Sequence, residues 1–142
     1  MKVVLDVNVW VSGLLWRGRP GLILDLSKKQ QITIFVSDGL RQELENTLRR
    51  TKFKSKIQSL AITVEDLLTV IKELSQSSPY LSVELPELRD LDDLVILGTA
   101  QASQAEFIIT GDQDLLVLKK FNDIPILTPQ DFLKMFGVEK LQ

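Results

Sequence analysis

The sequence predicts an α/β fold, a mostly parallel central sheet covered on both faces by helices. Two observations carry this reading. Short β-branched or aromatic runs at residues 3–5, 32–36, 107–110 and 124–127 alternate with segments of helical apolar spacing. Strands separated by helices call for right-handed crossovers, which set neighbouring strands parallel. No internal repeat, low-complexity stretch or linker interrupts the pattern, so residues 1–142 are expected to form a single domain.

Taken in order, residues 3–5 form the first strand, and Asp6-Val7-Asn8 ends it. An apolar segment at 9–15 follows, and Trp16-Arg17-Gly18-Arg19-Pro20-Gly21 is expected to break it. Leu22, Ile23 and Leu26 have helical spacing, and Lys28-Lys29 suits a helix C-terminus. Residues 32–36 are the second strand. Ser37 and Asp38 can cap a helix carrying Leu40, Leu44 and Leu48. Thr63 and Asp66 resemble a capping signal ahead of Leu67, Leu68, Ile71 and Leu74. A polar link at 75–79 leads to an expected short edge segment at 80–83, then an acidic loop at 86–92. Residues 94–105 read as a buried helix, with Gly98, Ala100 and Ala102 expected to allow close approach to the sheet. Residues 107–110 are the third strand, ended by Gly111-Asp112, and 124–127 the fourth. Thr128-Pro129 opens a last helix with Phe132, Leu133 and Phe136.

Composition narrows the chemistry. Apolar residues make up 44% and charged residues 25%, as in a globular chain able to bury a core without staples. The absence of cysteine excludes disulfides, thiolate metal sites and cysteine nucleophiles. The absence of histidine removes histidine-based triads, acid–base pairs and metal ligands. Any metal must then be held by oxygen, which favours magnesium, manganese or calcium. The first apolar stretch breaks at Asp6 and Asn8, so no signal peptide and no membrane span are expected, and the cytoplasm is the expected location. The net charge of −2 speaks against broad coating of nucleic acid but leaves room for a local basic patch.

The acids fall where an α/β sheet binds ligands, beyond the carboxyl ends of its strands. Asp6 closes the first strand and Asp112 the third. Glu43 lies within two helical turns of the end of the second strand, and Asp92 and Asp93 open the helix feeding the third. Carboxylates from four distant segments can thus meet, and a divalent ion would remove their mutual repulsion. Each has a plainer reading. Asp6-Val7-Asn8 and Thr110-Gly111-Asp112-Gln113-Asp114 serve equally as turns, Glu43 as a solvated helix acid, and Asp92 or Asp93 as an N-cap. Asp93 shares a helix face with Leu97 and Ala100, which turns it toward the sheet.

The ordered set resembles the PIN-domain family over nearly the whole chain. It comprises Asp6-Val7-Asn8, the helix acid Glu43, the opened helix Asp93-Leu94-Val95-Ile96-Leu97, and Thr110-Gly111-Asp112-Gln113-Asp114. The nearest subgroup is the bacterial VapC-like toxins of toxin–antitoxin pairs. The resemblance implies a PIN-like three-layer α/β/α sandwich and a Mg²⁺- or Mn²⁺-dependent ribonuclease acting on single-stranded RNA. Such proteins are often homodimers and often held by an antitoxin. Asp6, Glu43, Asp93 and Asp112 occupy the family's acidic quartet, with Asp114 joining the metal ligands. Asn8, Thr110 and Asp92 are supporting polar positions, and the doublet leaves open whether Asp92 or Asp93 is the third ligand. Val7 stands where threonine is common, and strand alternation is expected to turn it away from the site.

Residues 49–56 hold five basic side chains in eight, among them Arg49, Arg50 and Lys52, and Arg17 and Arg19 follow the first site segment. These can bind phosphates, with Trp16 or Phe53 stacking on bases. Their plainer reading is a solvated helix terminus and a core tryptophan. Two rival functions remain. One is a non-catalytic PIN-like module that binds RNA or protein. The other is a phospho-accepting domain, against which stand the missing acid pair after the first strand and the missing lysine after the fourth.

Overall fold

The computed structural model describes residues 1–86, 88 and 90–137. Its strands are β1 (Lys2–Leu5), β2 (Thr33–Val36), β3 (Ser75–Ser77), β4 (Phe107–Ile109), β5 (Lys120–Phe121) and β6 (Ile124–Leu127). They form one sheet in the order β3-β2-β1-β4-β6-β5. All pairings are parallel except the β5–β6 hairpin. The helices are α1 (Val7–Leu15), α2 (Gly18–Lys28), α3 (Asp38–Leu48), α4 (Thr51–Ser59), α5 (Val64–Leu74), α6 (Leu91–Ser103), α7 (Gln113–Leu116) and α8 (Pro129–Phe136). The result is the expected α/β sandwich with a mostly parallel sheet.

Val3, Val4 and Leu5 of β1 are wholly buried, without the in–out alternation of a half-exposed strand. That pattern belongs to a central strand covered on both faces. The chain runs outward from β1 through β2 to β3, then returns to place β4 on the other side of β1. The reversal makes a crevice between the carboxyl ends of β1 and β4, the usual ligand position in such sheets. Helix α6 packs across β1, β2 and β4, and α8 covers β6. No helix among the described residues is long and apolar enough to cross a membrane.

Several local expectations are corrected. The break after α1 shrinks to Trp16 and Arg17, because Gly18, Arg19 and Pro20 already form the first turn of α2. Proline is tolerated there because first-turn N–H groups have no partner within the helix. Residues 51–59, read only as a charged stretch, form α4, in which Ile57 alone is fully buried.

The edge strand is β3, inside the supposed polar link, and residues 80–83 form no strand. Parallel pairing of Ser75, Gln76 and Ser77 with β2 uses backbone groups, so the edge needs no apolar side chains. Tyr80 and Leu81 instead cross over α6 at Gly98, where the Leu81 N–H donates to the Gly98 carbonyl at 3.4 Å. A Cβ on Gly98 would collide with the Leu81 carbonyl and the Tyr80 ring. Gly98 therefore makes room for this loop rather than for the sheet. Within the loop once read as 86–92, Glu87 and Arg89 lie outside the described residues. Helix α6 starts at Leu91, and its N-cap is Asp90, which accepts from the Asp92 N–H at 2.9 Å. Neither Asp92 nor Asp93 is the cap.

Helix α7 and strand β5 were not anticipated. Asn122 and Asp123 take positive φ values of 46° and 68°, turning β5 back along β6 as a hairpin.

Candidate metal centre

The centre grows from the end of β1. The Asp6 N–H donates to the Ile109 carbonyl at 2.9 Å, extending the β1–β4 ladder by one residue. Asp6 is then the N-cap residue of α1, so the chain turns into a helix at that carboxylate. Its side chain accepts a 2.6 Å hydrogen bond from the Thr110 hydroxyl, and the same Thr110 oxygen accepts from the Asp112 N–H at 3.0 Å. One buried threonine thus ties together the two acids that follow neighbouring strands. Asp112 is itself the N-cap of α7, accepting from the Asp114 N–H at 2.9 Å. The cap reading and the site reading of Asp112 are therefore compatible.

Asp93, in the first turn of α6, is only 5% exposed. Carboxylate oxygens of Asp93, Asp112 and Asp114 lie within 4.8 Å of one another. Burial, followed by the charges of Asp112, Asp90, Asp6 and Asp114, pushes the Asp93 carboxyl up to about 7. Burial likewise raises Asp6, 6% exposed, and the Thr110 hydrogen bond only partly offsets it.

Glu43 approaches from α3 and meets Asp92. Burial, then the charge of Asp92 and a hydrogen bond with it, raise the Glu43 carboxyl above its ordinary value. The Arg50 guanidinium, 3.7 Å from the Glu43 carboxylate, works in the opposite direction. Asp6, Asn8, Glu43, Thr47, Arg50, Asp90, Asp92, Asp93 and Asp112 line a cleft of about 170 Å³.

The candidates read from sequence thus divide by position. Asp6, Glu43, Asp93 and Asp112 share the cleft with Asn8 and Asp92, while Thr110, just after β4, and Asp114 of α7 support it. Asp93 faces Asp112 and Asp114, and Asp92 stands beside Glu43. Val7, the first residue of α1, borders the cleft while its side chain belongs to the buried core. Asp90 and Thr47 were missed. Asp90 carried the cap signal two residues before Asp92, and Thr47 lies one turn after Glu43.

The basic candidates separate. Arg50 reaches the cleft. Arg17 is paired with Asp25 at 2.6 Å and lines a different groove, against α2 and α5. Arg19 is exposed in the first turn of α2. Arg49 is paired with Glu45 and Glu65 at 3.0 and 3.1 Å. Lys52 lies over the Phe53 ring at 5.0 Å. Trp16, one reading of which was a core residue, is 54% exposed.

The donor set fits a hard divalent cation. It offers only carboxylate oxygens, Asp93 among them is buried, and a cation would offset the burial and neighbouring charge that raise its carboxyl. A mostly parallel sheet with such a carboxylate cluster at its point of chain reversal defines a class of α/β proteins suited to hard metal ions. Within that class, the chain belongs to the PIN-domain family, whose profile matches residues 2–114. A solved chain from VapBC2 of Rickettsia felis, bound to a DNA fragment from their promoter, has a similar fold. Its TM-score is 0.61 at 17% identity, covering 90% of this chain and 98% of that one. No curated protein matches the chain in sequence.

Proposed function

We propose that the chain is a Mg²⁺- or Mn²⁺-dependent endoribonuclease that hydrolyses phosphodiester bonds of single-stranded RNA. The observation that carries this reading is the convergence of Asp6, Glu43, Asp93 and Asp112, from four separate segments, on one cleft. Membership of the PIN-domain family supports it. The VapBC2 neighbour supports a further part of the reading, that the protein is the toxin of a toxin–antitoxin pair with an antitoxin protein as partner.

Asp6, Glu43, Asp93, Asp112 and Asp114 would hold the ion. When bound, such an ion supplies Lewis acidity, activating water for attack at phosphorus and offsetting charge on the leaving oxygen. The chain's own residues do the rest. Thr110 fixes the Asp6 carboxylate, and the α7 N-terminus fixes Asp112, so both are oriented before substrate arrives. Glu43, whose carboxyl burial and Asp92 raise above its ordinary value, stands between these acids and Arg50. Arg50 can leave Glu43 for a substrate phosphate, an exchange of one oxyanion for another.

A cleavage assay on generic single-stranded RNA, in Mn²⁺ and in EDTA, tests the reading. Cleavage should need the metal and be lost in Asp6→Asn without loss of fold. Asp93→Asn should cost far more activity than Asp92→Asn. Wild-type turnover by folded Asp6→Asn would sink the assignment, and the reverse ranking of the doublet would exchange their roles.

A further inference from the structure

One side chain row leads out of the cleft. Glu43, Thr47 and Arg50 line it at i, i+4 and i+7, along one face of α3 and onto the N-cap of α4. Phe53 follows directly, its N–H bonded to the Arg50 carbonyl at 3.0 Å. The Phe53 ring meets Trp16 edge to face, with centroids 6.0 Å apart. Trp16 is the C-cap of α1, the helix that begins at Asp6, so it stands roughly 15 Å from the acids along that axis.

This aromatic pair is set among cations. Lys56 Nζ is 5.5 Å from the Trp16 ring centroid and Lys52 Nζ is 5.0 Å from that of Phe53. Helix α4 carries Lys52, Lys54 and Lys56 and no acidic residue. Only Ile57 in it is fully buried; Phe53 leans on the core and is half-buried, while Lys52, Lys54 and the neighbouring Trp16 are exposed. An exposed indole beside ammonium groups matches a single strand, whose bases offer π-faces and whose phosphates run alongside.

We propose that Trp16, Phe53, Lys52 and Lys56 form a stacking platform for single-stranded nucleic acid, leading the strand past Arg50 into the acidic cleft. This deepens the nuclease reading and rests on it for the direction of the strand. Stacking on Trp16 and Phe53 is indifferent to base identity, so the platform selects single-stranded over duplex substrate, in which the bases are already stacked.

Trp10 is wholly buried, so quenching of tryptophan emission reports on Trp16. Titrating a short oligouridylate into the full chain in EDTA should quench that emission saturably. By fluorescence anisotropy of a labelled oligouridylate, Trp16→Ala should weaken binding on the order of tenfold. The double variant Lys52→Ala/Lys56→Ala should reduce the salt dependence of binding by about 0.7 per lost phosphate contact. Thermal melts check that both variants are folded. No saturable quenching, or wild-type affinity in both variants, would overturn the platform, as would a protein ligand that needs Trp16 when oligouridylate does not. The two readings fail separately. Quenching without Mn²⁺-dependent cleavage leaves the platform and removes the nuclease. Cleavage with an unchanged KM in Trp16→Ala leaves the nuclease and removes the platform.

Discussion

Asp93 shows at the scale of one residue what the centre costs the fold. Its carboxyl titrates near 7 in the native protein but at an ordinary carboxylate value when unfolded, chiefly through burial. Between roughly pH 4 and about 7 the native state therefore keeps a proton that the unfolded chain releases. Stability of the metal-free protein must fall as pH rises through that window. Asp6 and Glu43, also raised, act with the same sign. Melts in EDTA across this range should show Asp93→Asn gaining on the wild type as pH increases, because the amide has no proton to lose. A gap that stays constant with pH would mean that Asp93 ionises as freely in the fold as outside it.

At the scale of elements, local signals were readable and long-range ones were not. The helices opened by Ser37, Thr63 and Thr128 were found because each cap bonds a backbone N–H three residues on, a relation wholly contained in the sequence. β3 was missed because Ser75-Gln76-Ser77 has no strand-like pattern, and its pairing with β2 is a tertiary choice. Tyr80 and Leu81 look like a strand but are apolar for another reason, namely their crossing over α6. Gly98 marks that crossing, and it carries a prediction. Gly98→Ala should force the 80s loop off α6 and destabilise the protein by roughly 1–3 kcal/mol, as overpacking does. The same loop delivers Asp90, the α6 cap beside Asp92, so activity should drop as well. An urea melt with an unchanged midpoint would show that the loop has room to move. The site was legible in its acids because each follows a strand or opens a helix. The order in which they face one another was not, since Asp92 and Asp93 differ only by a helical rotation that the N-cap Asp90 sets.

Across the whole molecule, the centre should link metal binding to stability. An ion that binds only the native state raises the melting temperature by mass action, so Mn²⁺ should stabilise the wild type. Asp112 separates this from capping. Asparagine caps a helix about as well as aspartate, whereas alanine does not. In EDTA, Asp112→Asn should be no less stable than the wild type, and Asp112→Ala should lie below it by about 0.5–2 kcal/mol. Both should respond less to Mn²⁺. A full Mn²⁺ shift in either variant would leave Asp112 as a cap alone.

The threonine bridge between Asp6 and Thr110 spans 104 positions of sequence. The pair is complete only after β4 has been made and has docked against β1. Until then nothing holds the two acids in register. Closure over so long a stretch makes the cluster a property of the finished fold. A chain that lacks β4 cannot assemble the carboxylate cluster, because Thr110, Asp112 and Asp114 all follow that strand.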